Sequence, residues 1–423
     1  MKVLVIGGGG REHAMIKALK KSEKISRLYA APGNGGISRD AQCVPVKATD
    51  IPAITDFAVQ NAIDYVIVAP DDPLALGMVD ALEEKGVRCF GPNKTAARIE
   101  SSKVFAKALM KKYGIPTAAY ETFSDPDKAA CYVKSSSVSF PLVIKADGLA
   151  LGKGVIIAAN LDEALEAIDS IMREKKFGAS GSSIVIEEFL TGPEVSVLAF
   201  TDGKTIAPMV SSMDHKRAFD NNEGPNTGGM GVIAPNPHYT GEIAAVCEET
   251  IFLPTIRAMR EEGCPFKGCL YFGLMLTPRG PAVIEYNCRF GDPETQAVLP
   301  LLETDLLEIM EAVTDGKLAN IDIRWKNAHS ACVVLASGGY PHAYKTGFAI
   351  SGLGANGDAQ NSGAVIYHAG TEYRDGAFYT AGGRVLGVTA VAPSLNSALE
   401  AAYKTAGAVN FEGAHYRRDI GKY

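Results

Sequence analysis

Four short runs rich in apolar residues, Lys2 to Ile6, Arg27 to Ala31, Asp64 to Val68 and Val87 to Phe90, punctuate the first 100 residues, and the stretches between them carry apolar residues at helical spacing. That alternation predicts a parallel α/β sheet at the N-terminus. The first and third runs are apolar almost throughout, as strands covered by helices on both faces must be.

The pattern changes after this unit. A helix is expected from Ser101 through Lys112, closed by Gly114 and Pro116, where the chain leaves the first domain. Short strands follow at Pro141 to Lys145 and Val155 to Ala159, a helix at Leu161 to Arg173, then strands at Ser183 to Glu188 and Glu194 to Thr201. This is α+β. Asp220 to Pro237 is dense in Gly, Asn and Pro and reads as a functional loop. Long helices are expected at Glu242 to Glu262 and Pro293 to Thr314, around strands Cys269 to Leu276 and Ala282 to Asn287. Beyond Lys326 the text returns to short strands, with a helix near Leu395 to Thr405.

A chain of 423 residues exceeds one ordinary core, and roughly three compact units is the natural division. Apolar content of 47% and charged content of 21% are those of a folded chain. The opening apolar run ends at Gly7, too early for a signal peptide, and no stretch is apolar for long enough to span a membrane. The eight cysteines are scattered without a C-x-x-C pair, which speaks against structural zinc and a disulfide framework and for a reducing, cytoplasmic setting. A net charge of −6 offers no footprint for nucleic acid or an anionic membrane.

Four segments carry candidate chemistry. Gly7 to Gly10 follows a strand and precedes a helix beginning near Arg11, the geometry that aims backbone N–H groups at a phosphate. Counted from Gly7, the third glycine of a dinucleotide fingerprint falls on Glu12, and the second strand ends in Ala30-Ala31-Pro32 without an acidic residue. The turn therefore points away from NAD and toward a phosphate or phosphosugar, against the plainer alternative of a tight turn. Gly148 to Gly154 lacks the spacing and hydroxyl of a P-loop. It reads as a hairpin loop folding over polyphosphate with charge from Lys145 and Lys153, or as a flexible hairpin with solvated lysines.

In Glu285-Tyr-Asn287-Cys-Arg289, period-two spacing puts two hard oxygen ligands and a guanidinium on one strand face. Such a face suits magnesium and a transferring phosphoryl group, the alternative being a solvated charged face. Asp214-His-Lys-Arg217, with Gly224 to Gly231, is a basic cluster beside a loop able to approach a ligand, or a surface turn. Nothing in the sequence gives His215 a partner.

In this order the segments resemble the ATP-grasp superfamily and, closely, its glycinamide ribonucleotide synthetase family. The resemblance runs nearly end to end. It includes Gly10-Arg-Glu-His13, Ala31-Pro-Gly-Asn34, Ile144-Lys-Ala-Asp-Gly-Leu149, Ile186-Glu-Glu-Phe-Leu190, Asp214 to Arg217, Gly224 to Gly231, Glu285 to Thr295, His368-Ala-Gly-Thr371 and Gly382-Gly-Arg384. It implies an α/β and α+β multi-domain chain: an N-terminal parallel α/β domain over 1–100, an ATP-grasp domain over 101–326 with a lid at about 117–188, and a small β-rich domain over 327–423.

The implied reaction is ATP-dependent condensation of glycine with 5-phospho-D-ribosylamine, through a glycyl phosphate, to glycinamide ribonucleotide, ADP and phosphate in purine biosynthesis. ATP is the co-substrate and Mg2+ or Mn2+ the cofactor; a monomer with no nucleic-acid or membrane partner is expected. By the same resemblance Lys103, Lys145, Gly152 and Lys153 meet ATP phosphates, Glu187, Phe189 and Leu190 hold adenine, and Glu194 the ribose. Glu285 and Asn287 take the metal. Gly8, Gly9, Gly10, Arg11, Asn34 and Asp71 face the phosphosugar, and Asp214, Lys216, Arg289 and Asp292 lie near the reacting groups.

Two departures stand out. Asp71 occupies Val68-Ala-Pro-Asp-Asp-Pro73 where the family usually reads Gly-Pro-Glu, and Leu270 to Leu276, before Glu285, has no acidic residue. The rival readings are a sister ATP-grasp ligase of purine metabolism acting on another carboxylate, and a nucleotide-sensing protein without turnover. The Glu285, Asn287 and Arg289 set argues against the second.

Overall fold

The computed structural model describes residues 1–135, 138–149, 154–359 and 363–422, so Gly152 and Lys153 lie outside the described residues. Strands β1 (Lys2–Gly7), β2 (Arg27–Pro32), β3 (Gln42–Cys43), β4 (Tyr65–Val68) and β5 (Arg88–Phe90) form a parallel sheet in the order β3-β2-β1-β4-β5. Val3 to Ile6 and all of β4 are buried, which accounts for their unbroken apolar sequence. The strand order reverses at β1, so the connections leaving β1 and β4 open a crevice at the carboxyl end of the sheet. The glycine turn and Asp71 sit at that end.

Next come two four-stranded sheets. One orders Tyr120–Phe123, Ile184–Glu188, Leu142–Ala146 and Val155–Ala158. Its core, with Ile144, Ile168 and Ile184, is separate from the rest. The other orders Ile206–Pro208, Glu194–Asp202, Lys267–Thr277 and Gly280–Asn287. Helix Lys103–Tyr113 leads into this region, started by Ser102 Oγ accepting from Phe105 N at 3.1 Å and ended by Gly114 at φ +67°.

The C-terminal sheet corrects two expectations. Asp220 to Pro237 is not all loop: Glu223–Asn226 pairs with Arg217–Phe219, and Gly231–Ala234 pairs with Met213–Asp214 and His329–Ala336. A strand whose main partner lies so far along the chain leaves only a local text of Gly, Asn and Pro. The expected helix over Pro293 to Thr314 is broken into Glu294–Val298, a 3-10 turn at Leu299–Leu301, and Leu306–Asp315. Asp305 restarts the helix by accepting from Leu307 N at 2.9 Å. The sheet continues with Arg384–Ala392 and Ala364–His368, and helix Leu395–Ala406 packs on it. Val5, Ile16, Leu301 and Val334 belong to one core, which joins the first sheet to the last. Among the described residues no helix is long and apolar enough to cross a membrane.

Candidate active site

A cavity of about 830 Å³ lies where these units meet, within the size range of small-molecule sites. One end of it is backed by the glycine turn. Gly9 N donates to Glu12 Oε2 at 2.5 Å, so the first helical turn closes on its own acid. Gly8 has no room for a side chain, since a Cβ would stand 2.3 Å from Gly33 O. Asn34 Nδ2 donates to Gly8 O at 2.9 Å and to His368 O at 2.8 Å, while its Oδ1 accepts from Ile37 N. Its amide thus ties the turn to the C-terminal sheet. His13 does the same: its Nδ1 accepts from His368 N at 2.7 Å, which leaves the proton on Nε2, 3.0 Å from Asp40 Oδ2. Burial pushes the His13 pKa down.

Asp292 meets this turn from the other side. Its carboxylate accepts from Arg11 N at 3.4 Å and Gln296 Nε2 at 2.8 Å and pairs with Arg384 at 3.3 Å. Burial opposes its ionisation, but Arg384 and Arg11 outweigh that and lower its pKa. Arg384 also donates to the carbonyls of Gly228, Gly229 and Asp292, so one guanidinium from the last sheet fixes the 227–229 loop against the 290–296 segment.

The other end is lysine-rich. Glu187, buried, pairs with Lys107 at 3.0 Å and Lys145 at 3.1 Å, and Lys145 also donates to Ile284 O. Burial pushes Lys107 down to about 8 and lowers Lys103, whose ammonium donates to Gly148 O at 2.8 Å. Between the ends, Arg289 pairs with Glu100 at 3.1 Å and donates to Asn287 Oδ1 at 3.1 Å.

Glu285 makes no hydrogen bond or ion pair to any described residue. Burial disfavours its charge, yet Lys216, Lys145, Lys103 and Arg289 more than offset that and hold its pKa low. An ionised, unpartnered carboxylate beside an amide oxygen is a hard-oxygen pair that fits a divalent cation sharing ATP phosphates. Among the described residues no cluster of three or more His, Cys, Asp or Glu could hold a metal on its own.

The cavity wall brings together Lys103, Lys145, Glu187, Phe189, Leu190 and Glu194 with Glu285, Asn287 and Arg289. Asp214, Lys216, Asp292, Arg11 and Asp71 line it as well. Gly8, Gly9, Gly10 and Asn34 do not; they stand behind the wall and reach it through Arg11 and Asp292. Glu194, expected at a ribose, pairs with Lys216 at 2.9 Å. Sequence reasoning assigned no role to Arg384, Gln296, Glu12, Glu100 or Lys107. Arg384 and Glu12 stand in segments that carried the resemblance, which was the available signal.

Residues 1–100, 101–295 and 330–423 match the N, ATP-grasp (A) and C domain models of phosphoribosylglycinamide synthetase. The chain belongs to this family. The phosphoribosylamine–glycine ligase of Caldanaerobacter subterraneus subsp. tengcongensis is 48% identical over 99% of this chain and 99% of its own length. The trifunctional purine biosynthetic protein adenosine-3 of Gallus gallus is 47% identical over 99% of this chain, which spans 42% of that longer protein. Among solved structures, phosphoribosylamine–glycine ligase from Thermotoga maritima matches over 100% of both chains with a TM-score of 0.87 and 33% identity. The biotin carboxylase domain of the Hydrogenobacter thermophilus 2-oxoglutarate carboxylase shares the fold alone, with 17% identity and a TM-score of 0.75 over 98% of this chain and 91% of that one.

Proposed function

We propose that the chain joins glycine to 5-phospho-D-ribosylamine at the expense of ATP, forming glycinamide ribonucleotide, ADP and phosphate in purine biosynthesis. The observation that carries this reading is one cavity with lysines at one end, Arg11 and Asp292 in front of the glycine turn at the other, and Arg289 between them. Full-length relatives whose name couples phosphoribosylamine to glycine support the choice of substrates.

A carboxylate and an amine do not condense in water, because the carboxylate is a poor electrophile. A carboxylate oxygen of glycine attacks the γ-phosphorus of ATP, ADP leaves, and the resulting glycyl phosphate has a displaceable phosphate. Lys103 and Lys145 hold the polyphosphate, and Arg289, locked by Glu100 and Asn287, spreads charge on the transferring group. Glu285 and Asn287 would hold Mg2+ or Mn2+, which supplies charge neutralisation on the ATP phosphates. Glu187, Phe189 and Leu190 take adenine and Glu194 the ribose; Gly152 and Lys153 are assigned to the ATP phosphates. Arg11 and Asp71, with the turn Gly8 to Gly10 and Asn34 behind them, receive the phosphosugar. Its amine attacks the acyl carbon, the bond to the phosphate oxygen breaks, and the nitrogen loses a proton. Asp214, Lys216 and Asp292 surround the reacting groups. Closing the cavity shields the glycyl phosphate from water.

The test is ADP release by the purified chain with ATP and magnesium. Release that requires both glycine and phosphoribosylamine is expected. Release supported by a different carboxylate would favour a sister ligase, and binding of ATP without release would mean a sensor.

A further inference from the structure

Strands Arg217–Phe219 and Glu223–Asn226 form a hairpin that belongs to no larger sheet among the described residues. A two-stranded hairpin is marginal by itself. Yet this one is part of the cavity wall, through Arg217, Asn222 and Asn226, and the chain just before it brings Asp214 and Lys216 to the same cavity. Something else has to hold it in place.

Residues 415–422, which form no helix or strand of their own, do so. His415 Nε2 donates to Ala218 O at 2.8 Å, Arg417 Nη1 to Arg217 O at 3.2 Å, and Arg418 N to Asp220 Oδ1 at 2.7 Å. Asn221 N donates back to Asp419 Oδ2 at 2.8 Å, and Gly421 N donates to His215 Nε2 at 3.0 Å. The segment is anchored in turn. Arg417, 1% exposed, forms a two-pronged pair with Asp419 at 2.7 and 2.8 Å. Tyr403, on helix Leu395–Ala406, donates its hydroxyl to Arg417 O and accepts from Ile420 N, and Ile420 is buried with Ile233, Ala331 and Ala398. Neither Arg417 nor Asp419 lines the cavity, whereas Lys422 does. A buried ion pair adds little stability over apolar residues of the same volume; what it can add is one fixed geometry.

We propose that residues 415–422 are a strap that sets the hairpin wall, with Arg417 and Asp419 as positioning residues that act through Asp214 and Lys216. This rests on the ligase reading above, which puts those two side chains beside the reacting groups. On the same reading ATP is held by Lys103, Lys145 and Glu187, none of which bonds to the strap among the described residues, so a slack strap costs turnover and leaves ATP binding alone.

The test follows the full chain with ATP, magnesium, glycine and phosphoribosylamine, well below the thermal midpoint of each variant. For Asp419→Asn, kcat/KM for glycine falls between roughly ten- and 100-fold, the cost of a misplacement of about 1 Å. The affinity for ATP measured by calorimetry stays unchanged, and Asp419→Glu, which keeps the carboxylate, recovers most of the loss. Asp220→Ala removes the acceptor of Arg418 N, leaves the buried pair intact, and lowers kcat/KM for glycine roughly threefold. A lowered thermal midpoint with kcat/KM for glycine unchanged would overturn the proposal and reduce the strap to a stabilising contact. An equal loss of ATP affinity would overturn it as well, as general damage. If Asp419→Asn does not fold, Asp220→Ala decides between the same outcomes. A wild-type chain that releases no ADP in response to glycine and phosphoribosylamine would overturn the ligase reading itself, which sets the two failures apart.

Discussion

The two ends of the cavity are built on opposite terms. At the glycine turn almost every polar group is satisfied within the protein: Glu12 by Gly9, Asn34 by Gly8, His368 and Ile37, His13 by His368 and Asp40, and Asp292 by Arg11, Gln296 and Arg384. At the lysine end Glu285 has no hydrogen-bond or ion-pair partner among the described residues, and three lysines act on its charge from beyond contact. The first end is a finished scaffold that receives a ligand without rearranging its charges. The second is an incomplete charge set, which on the proposed reading a cation and a polyphosphate complete. The difference teaches where substitutions cost turnover and where they cost binding or stability.

The largest effect is expected at the incomplete end. Glu285→Gln lowers kcat by more than about 100-fold, the upper range for groups that merely support a metal ligand. Circular dichroism shows the fold intact, because no hydrogen bond or ion pair to a described residue is lost. Normal turnover at saturating magnesium would break the contrast by showing that the unpaired carboxylate is not a ligand.

At the finished end the cost is smaller and falls on binding. In Gly10→Val the new Cβ would meet Gln296 Nε2 at 2.5 Å, the far end of a side chain that can move but that holds Asp292. The apparent KM for phosphoribosylamine rises roughly tenfold, about 1.4 kcal/mol, with the KM for ATP little changed. Equal effects on both would mean general damage.

The smallest effect is on stability with pH. His368, pushed down to about 3, and His215, pushed down to about 4 by burial, both lie in the seam with the C-terminal sheet. A histidine with a lowered folded pKa binds fewer protons folded than unfolded between that value and its ordinary one near 6.5. Its contribution is complete above the unfolded pKa and is lost as pH falls from there toward 4. The thermal midpoint therefore drops over that interval, and His215→Gln makes the dependence shallower. An unchanged slope would show that the seam is not closed by neutral histidine.

Much of this was legible in the sequence, because strand runs and capping residues act locally. The parallel sheet follows from four apolar runs, and the strand that carries Glu285 and Asn287 to the cavity from the period-two spacing there. What stayed hidden depends on distant partners. Gly231–Ala234 becomes a strand only against His329–Ala336, and Arg384 enters the site only because the last sheet folds back onto Asp292. His215, without a partner in the sequence, accepts from Gly421 N at 3.0 Å, near the far end of the chain. Asn34 was expected at the sugar, and the structure shows its amide holding the turn instead of lining the cavity.

The central claim is that the two ends cooperate through a glycyl phosphate, and an isotope in glycine tests it most directly. With oxygen-18 in the glycine carboxylate, the phosphate released alongside glycinamide ribonucleotide must carry one labelled oxygen, because the bridging oxygen leaves with phosphorus. Product formed with unlabelled phosphate would contradict the account and remove the reason for placing Arg289 at the transferring group.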